Sequence, residues 1–365
     1  MPDQVTLDDV ARVCGVSRAT ASRALNGRAG VRDDVRDRIR RIADSMGFVP
    51  NRAAQQLASG RSSVIGLVIP SADLHIDPYG ASITHAVGRA AHQVDQGLML
   101  HLATNEPGVT VHHIMRDGLV DGLLVSSVAV GVPWIDELLA QDGLPTVLVG
   151  THPWIPNFDA VDVENLESSA AAVEHLFQQG CTRVATITGL LDRADAMLRL
   201  DGYRLAHQRR GLAVDEDLIY VGGFTRDSGY KGAQILVEHG ADGIFAANDE
   251  MAIGVMWAMV HAGVRIPDDL ALVGFDGTSV NDFLEPTLSS VRQPFDKIAQ
   301  AAVAELLRKI DGQPSSGQIV LEGELAIGGS STRITPSTQA ATQSATKTAM
   351  KKTSRSRGRT TGGQR

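Results

Sequence analysis

A chain of 365 residues, 43% hydrophobic and 21% charged, has the composition of an ordinary soluble protein large enough for two or three domains with a buried core. It holds no apolar stretch long enough to span a bilayer, and its opening MPDQVTLDDV lacks the basic and apolar regions of a signal peptide, so a cytoplasmic protein is expected. The net charge of −8 is laid out unevenly: residues 1–61 hold 11 Arg against 7 Asp, residues 339–365 hold 7 Lys and Arg with no acid, and the span between carries −19. A basic head and tail on an acidic body point to a polyanion partner at the ends. The first lysine is Lys231, so a chain-wide use of arginine accounts for the identity of the head's cations, and their placement is the stronger signal. Cys14 and Cys181 lie far apart without metal-type neighbours, which makes them two small core residues rather than a disulfide or zinc ligands.

In chain order, Thr6 caps a predicted helix over Leu7 to Val13, Gly15 stops it, and Ser17 caps a second helix that runs through Leu25 to a break at Asn26-Gly27. A third helix is predicted from about Asp33 to Met46, with Val35, Ile39, Ile42 and Met46 on one face and Gly47 at its end. Pro50 separates this head from "NRAAQQLASG", residues 51–60, which has helical composition but is too short to be a stable helix alone. From Ser62 short apolar runs alternate with longer amphipathic stretches. Strands are predicted at Val64–Ile69, Leu98–Ala103, Gly122–Ser126, Thr146–Val149, Val184–Thr188, Gly243–Ala247 and Leu270–Phe275, and helices at Ala81–Gln96, Leu166–Gln179, Asp227–His239 and Glu250–His261. Such alternation predicts parallel sheets covered on both faces, and its length favours two doubly wound subdomains over one sheet. After Ile334 there is no Leu, Ile, Val or aromatic residue, so the tail is expected to be disordered.

Two helices joined by the tight turn Cys14-Gly15-Val16 make a helix-turn-helix, whose second helix enters the major groove of DNA. Arg18, Ala19 and Arg23 would face base edges there: arginine forks to guanine O6 and N7, and alanine offers only contact with a thymine methyl. Ser17, Thr20, Ser22 and Asn26 are suited to phosphate contacts that set the register. The bland alternative is a small helical cap with a solvated arginine face.

The stretches "VTLDDVARVCGVSRATASRALNG", "GFVPNRAAQQLASGRSSVIGLVIP", "RLDGY", "ANDEMAIG", "LVGFDGT" and "VRQPF", in this order, resemble the lac repressor family of bacterial transcription regulators over about residues 4–335. The resemblance implies a helix-turn-helix domain over 1–50 with Thr6 among its DNA contacts, a hinge helix and linker over 51–61, an effector-binding and dimerisation domain of two periplasmic-binding-protein-like subdomains over 62–337, and a basic tail over 338–365. It implies a homodimer on a pseudo-palindromic operator, with hinge residues Asn51, Ala54, Gln55, Leu57 and Ala58 at the DNA. In that family the hinge folds when two subunits meet on DNA, and the residue matching Leu57 wedges into a minor-groove base step, where an apolar side chain offsets unstacking. The alternative is a plain linker whose leucine packs on the body.

The same resemblance places a small-molecule effector between the subdomains, in contact with Asp77, Tyr79, Arg199, Phe224, Asn248, Asp249, Asp276 and Phe295. Carboxylates, an amide, an arginine fork and aromatic rings suit the hydroxyls and apolar face of a sugar. Asp77 stands where many members carry Asn, and Gly150 where the family's type member carries an acid, so the particular sugar does not carry over. The competing reading of Asp249 and Asp276 is that they cap the helices that follow. Neither a cofactor nor a metal is expected: Asp73, His75 and Asp77 alternate in a loop, and a solvated loop accounts for them better than a metal site. "GFDGT" resembles a phosphatase loop, but Gly274 occupies the position of the nucleophilic carboxylate, and GxGxxG, GxxxxGK[ST], GxSxG and HExxH are absent. An enzyme is therefore not expected. The remaining alternative is a sugar-binding receptor without a DNA role.

Overall fold

A computed structural model describes residues 5–27, 29–49, 61–70, 78–103, 118–126, 144–150 and 158–333. The chain divides into two units, Met1–Ser63 and Val64–Arg365. The hinge residues Asn51, Ala54, Gln55, Leu57 and Ala58, the loop carrying Asp73, His75 and Asp77, and the basic tail lie outside the described residues.

In the first unit, helix α1 (Leu7–Cys14) begins at a capping box in which the Thr6 hydroxyl accepts from the Asp9 amide and the Asp9 carboxylate accepts from the Thr6 amide. It ends at Gly15, whose φ of +65° is the left-handed conformation that glycine adopts without a Cβ clash. Helix α2 (Arg18–Leu25) opens on Ser17, whose side chain accepts from the Thr20 amide at 3.1 Å. Helix α3 (Asp33–Ser45) follows. Val10, Cys14, Ala24, Ile39 and Ala43 form the shared core, with Val35, Ile42 and Met46 packed against it. The expected face of the third helix is thus the buried one, and Cys14 is a core residue.

The second unit holds two six-stranded sheets. The first has the order β11-β5-β4-β3-β1-β2, with β1 (Val64–Pro70), β2 (Gly97–Ala103), β3 (Gly122–Ser126), β4 (Thr146–Val149), β5 (Ala160–Val163) and β11 (Gln318–Leu321), all parallel. Helices α4 (Pro78–Gln93) and α9 (Phe295–Ile310) pack on this sheet and on each other. The second has the order β12-β10-β9-β8-β6-β7, with β6 (Val184–Thr188), β7 (Ile219–Val221), β8 (Gly243–Ala246), β9 (Ala271–Asp276), β10 (Ser289–Arg292) and β12 (Glu324–Ala326). Only β12 runs antiparallel to its neighbour.

Alternate residues of the central strands serve opposite faces, as the two-residue period of a strand requires. Phe245, Val273 and Phe275 join the core under α5 (Asn165–Gln178) and α6 (Ala194–Arg209). Ile244, Ala246 and Leu272 join the core under α7 (Arg226–Glu238) and α8 (Asp249–Ala262). The last two helices cross through glycines: a Cβ on Gly254 would lie 2.0 Å from the Arg226 carbonyl oxygen, and one on Gly229 would lie 2.1 Å from that of Met251.

The chain crosses between the sheets three times, after β5 through α5, after β10 through α9, and again between β11 and β12. Two doubly wound subdomains are therefore present as predicted, but neither is continuous in sequence. Strands β5, β7, β10, β11 and β12 and helices α6 and α9 were not predicted. α4 begins at Pro78, three residues before the expected start, where proline's fixed φ suits the first helical turn.

Candidate functional site

The outer face of α2 carries Arg18, Ala19, Arg23 and Asn26, all exposed, with Thr20 and Ser22 half-buried and Ser17 at its head. Ala21 and Ala24 point inward and are buried. The helix thus offers one polar face with two arginines. Arg18 Nη1 lies 3.0 Å from Asp8 Oδ2 on α1, in a pair that is 67% and 62% exposed. Asn26 Nδ2 donates to Ser22 Oγ at 3.3 Å, and Thr6 is engaged in its cap.

In the second unit, the carboxyl ends of the parallel strands converge on a polar cavity of about 60 Å³ lined by Tyr79, Arg193, Asp195, Arg199, Phe224, Asn248 and Asp276. Its position follows from topology, because ligands in open α/β sheets bind outside the carboxyl ends of the strands. Tyr79 comes from the start of α4. The other side chains follow β6, β7 and β8 or end β9.

Arg199 is 4% exposed, and its donors are already placed: Nε donates to Asn165 Oδ1 at 2.9 Å and Nη1 to the Ala247 carbonyl at 2.6 Å, while the guanidinium lies 3.8 Å above the Phe275 ring. Nη1 also lies 3.6 Å from Asp276 Oδ1. Asp276 accepts from Gln293 Nε2 at 2.8 Å and adopts φ +112°, a strained conformation of the kind concentrated at ligand sites. Asn165 is in turn held by Asp162 Oδ2 at 3.0 Å. Asp162, Asn165, Arg199, Asp276 and Gln293 therefore form one buried polar chain, anchored on the first two crossings between the sheets.

At the more exposed end of the cavity, Arg193 donates through Nε and Nη2 to the two oxygens of Asp195, both at 3.3 Å, and its guanidinium stands 5.1 Å over the Phe224 ring. Burial pushes the Asp195 carboxyl up, but the charges of Arg193 and Arg199 and the hydrogen bonds from Arg193 and the Ala196 amide outweigh it and hold the group below the ordinary carboxylate range. Phe224 has φ +60° and its carbonyl accepts from Asn248 Nδ2 at 3.2 Å. Its ring closes against Gly189, where a Cβ would lie 1.9 Å from the ring. Burial raises the Tyr79 phenol well above its usual value, as do Asp162, Asp195 and Asp276, against a hydrogen bond with Ser126. The Tyr79 phenol therefore stays protonated.

Five expected effector contacts, Tyr79, Arg199, Phe224, Asn248 and Asp276, meet in this cavity. Asp77 lies outside the described residues. Asp249 is not among the residues lining this cavity: its buried carboxylate accepts from the Thr278 amide and hydroxyl, Asn281 Nδ2 and Ser290 Oγ. Phe295 packs edge-on against Tyr79, ring centroids 5.7 Å apart, and lines an adjacent groove. Neither aspartate caps a helix. Asn248 caps α8 by accepting from the Met251 amide at 2.9 Å, and Thr278 precedes the short 3-10 turn after Asp276. Arg193 and Asp195 were not anticipated.

A helix-turn-helix head on a body with a polar cleft between two doubly wound sheets defines a DNA-binding regulator with a ligand-sensing module. Residues 6–51 match the family model for bacterial regulatory proteins of the lacI family, and residues 173–331 match a periplasmic binding protein-like domain. The chain is 32% identical over 332 residues to the HTH-type transcriptional regulator CelR of Thermobifida fusca, across 88% of this chain and 97% of that one. It is 28% identical to the ribose operon repressor of Escherichia coli K12, across 86% and 95%. Among solved structures, the lac repressor dimer bound to operator and the anti-inducer ONPF matches with a TM-score of 0.75 at 26% identity, over 91% of this chain and all of that one. A complex of CelR with cellobiose matches with a TM-score of 0.70 at 30% identity, over 90% and 100%.

The chain belongs to the lacI family of bacterial regulatory proteins. It is a DNA-binding transcriptional regulator and not an enzyme, and the receptor without a DNA role is set aside by the match of its head. Among the described residues no helix is long and apolar enough to cross a membrane.

Proposed function

We propose that this regulator is a cytoplasmic repressor that binds a pseudo-palindromic operator as a homodimer and changes its affinity for that operator when a sugar occupies the cleft. The observation that carries the reading is the cavity itself, where two arginines, two aspartates, an asparagine and a phenylalanine at the carboxyl ends of second-sheet strands meet Tyr79 from the start of α4. A hydroxyl both donates and accepts, so it matches a wall of carboxylate and guanidinium, and an aromatic ring covers the apolar face of a sugar. Relatives with this architecture include a ribose operon repressor and a regulator solved with cellobiose.

On DNA, α2 lies in the major groove with Arg18 and Arg23 reading base edges and Ser17, Thr20, Ser22, Asn26 and Thr6 setting the register. Leu57 of the hinge takes the minor groove, and residues 51–61 link a head over 1–50 to a body over 62–337. The second copy is met through the apolar side chains that α8 and the 3-10 turn after β9 leave in solvent, Trp257 at 54%, Val260 at 75% and Phe283 at 88% exposure. The solved lac repressor relative is a dimer on its operator.

The test is footprinting on the DNA flanking the gene, combined with a thermal-shift screen of cellobiose, D-ribose, D-glucose and nucleosides. A protected two-fold symmetric site, strengthened or released by one of the sugars that stabilises the protein, is the expected result. Sugar binding that leaves the footprint unchanged at saturation refutes the coupling.

A further inference from the structure

Two arginines and two aspartates face the cavity, and each guanidinium is matched to a carboxylate, Arg193 to Asp195 at 3.3 Å and Arg199 to Asp276 at 3.6 Å. Among the described residues the charges of the lining therefore balance, although two arginines on one cavity wall would by themselves invite an anion. We propose that this paired wall selects an uncharged polyhydroxylated effector and rejects phosphorylated or carboxylated counterparts, and that Asp195 sets the choice. The proposal rests on the reading of the cleft as an effector site and names the chemical class that the site admits.

The argument is one of pairing. An incoming phosphate or carboxylate finds its natural partner in the planar fork of Arg193, the geometry that binds such groups two bonds at a time. That fork already closes on Asp195 through Nε and Nη2. To take it, the anion must break the pair and then sit beside the released Asp195 carboxylate, with Asp276 also on the wall. Like charges brought together in a partly desolvated cleft repel strongly.

The second fork is already divided. Arg199 is buried, with Nε bonded to Asn165 and Nη1 to the Ala247 carbonyl beside Asp276, so that neither of its two-bond edges is open as a whole. A hydroxyl meets neither obstacle. It donates to Asp195 or Asp276 and accepts from an arginine N–H or the Tyr79 phenol while both ion pairs stay intact. Phe224, beneath Arg193, supplies apolar contact for the carbon face of the same molecule.

Asp195→Asn removes the competing charge with little change of shape and leaves Arg193 in place to take an anion. The experiment uses inorganic phosphate as the probe, with chloride at matched ionic strength as control, on the full-length parent, Asp195→Asn, Arg193→Met, and Arg193→Met/Asp195→Asn. Binding is read by thermal shift and calorimetry. A second arm compares D-glucose and D-ribose with glucose 6-phosphate, glucuronate and ribose 5-phosphate.

The expected result is no phosphate-specific shift in the parent, binding at least about tenfold tighter in Asp195→Asn, and loss of that gain in the double variant. A neutral sugar that binds the parent should be preferred over its charged counterpart by about a hundredfold or more. Phosphate or a sugar phosphate binding the parent through Arg193, so that Arg193→Met abolishes it, overturns the proposal even if the Asn variant does not fold. A folded Asp195→Asn that gains no phosphate binding overturns it too. Phosphate gain as expected, with both arms of the sugar panel silent, counts against the sugar-effector reading and not against the paired wall.

Discussion

The carboxylate of Asp249, on the first residue of α8, accepts a hydrogen bond from the backbone amide of Thr278 at 2.8 Å and so ties the start of that helix to the loop after β9. The same carboxylate takes hydrogen bonds from the Thr278 hydroxyl, Asn281 and Ser290, and Ser290 Oγ in turn accepts from the Gly277 amide. Four donors aimed at one buried acceptor hold the segment in which Asp276 keeps its strained φ. Asp249→Asn puts an NH2 group against those donors. We expect a stability loss of about 1–3 kcal/mol and weaker effector binding through misplacement of Asp276. Urea unfolding and calorimetry with the screened sugar check both. Unchanged stability and affinity would contradict this role.

Arg18 is predicted to separate stability from recognition. Its pair with Asp8 is largely exposed, and such pairs contribute about 0–1 kcal/mol. Arg18→Ala should therefore leave the melting temperature nearly unchanged while losing about 1–3 kcal/mol at one base pair of each half-site. Asp8→Asn, which frees the guanidinium and removes a repelling charge, should tighten binding. Anisotropy titrations against operators with single base substitutions measure this, and a loss that is equal for every sequence would make Arg18 a phosphate contact.

Asn165→Ala removes the acceptor of Arg199 Nε and the link from the first crossing to the effector wall. A buried guanidinium donor left without its partner costs about 1–3 kcal/mol. Effector affinity should fall about tenfold or more, and operator affinity without ligand should stay at the parent's level. Calorimetry and anisotropy on the same preparation separate the two effects.

Stability should depend on pH in two opposing ways. His175, 2.8 Å from Ser331 Oγ, and His207, 2.9 Å from the Tyr203 carbonyl, are buried, and burial lowers both below 6.5. The unfolded chain then binds more protons, so their contribution is complete above about pH 6.5 and is lost as the pH falls below it. Burial pushes Asp249 up to about 6 against its four hydrogen bonds. The folded state binds more protons there, so stability from this group declines as the pH rises from about 4 to 6. Unfolding midpoints from pH 7.5 to 4.5 should show the histidine loss, reduced in His175→Gln. Asp249→Asn should steepen the acid side, because the opposing contribution is gone.

Local chemistry made much of this protein legible. Thr6, Gly15 and Ser17 are capping residues whose hydrogen bonds depend on near neighbours, and the head was read almost to the residue. The apolar runs of β1, β3, β4 and β6 needed no tertiary information either. Helix α6 resisted because it is buried on more than one side, with Ala194, Arg199, Gly202, Tyr203 and His207 all inside, so that no single apolar stripe marks it. β5 hid behind Asp162, a strand residue whose carboxylate turns to Asn165 and the Val163 amide. The site residues Arg193 and Asp195 sit in "LLDRAD", a stretch that matches none of the motifs quoted above, and only the fold brings them to the wall. Asp249 illustrates the converse: in "ANDE" the side chain of Asn248 lines the cavity, while the carboxylate one residue on turns to Thr278, Asn281 and Ser290.

The triple crossing of the chain also governs how the molecule is made. Strand β1 leaves the ribosome early, yet the sheet it founds is completed only by β11, paired to β5, and is covered by α9, which is synthesised just before β11. At about 5–20 residues per second, those pieces emerge roughly ten seconds to a minute apart. Throughout that interval the nascent first sheet has a bare edge and an uncovered apolar face, while the head, a separate unit at the front of the chain, is already synthesised in full. A product of premature termination before Gln318 would therefore retain every residue of the DNA-reading unit and lack the parts that close the sensor.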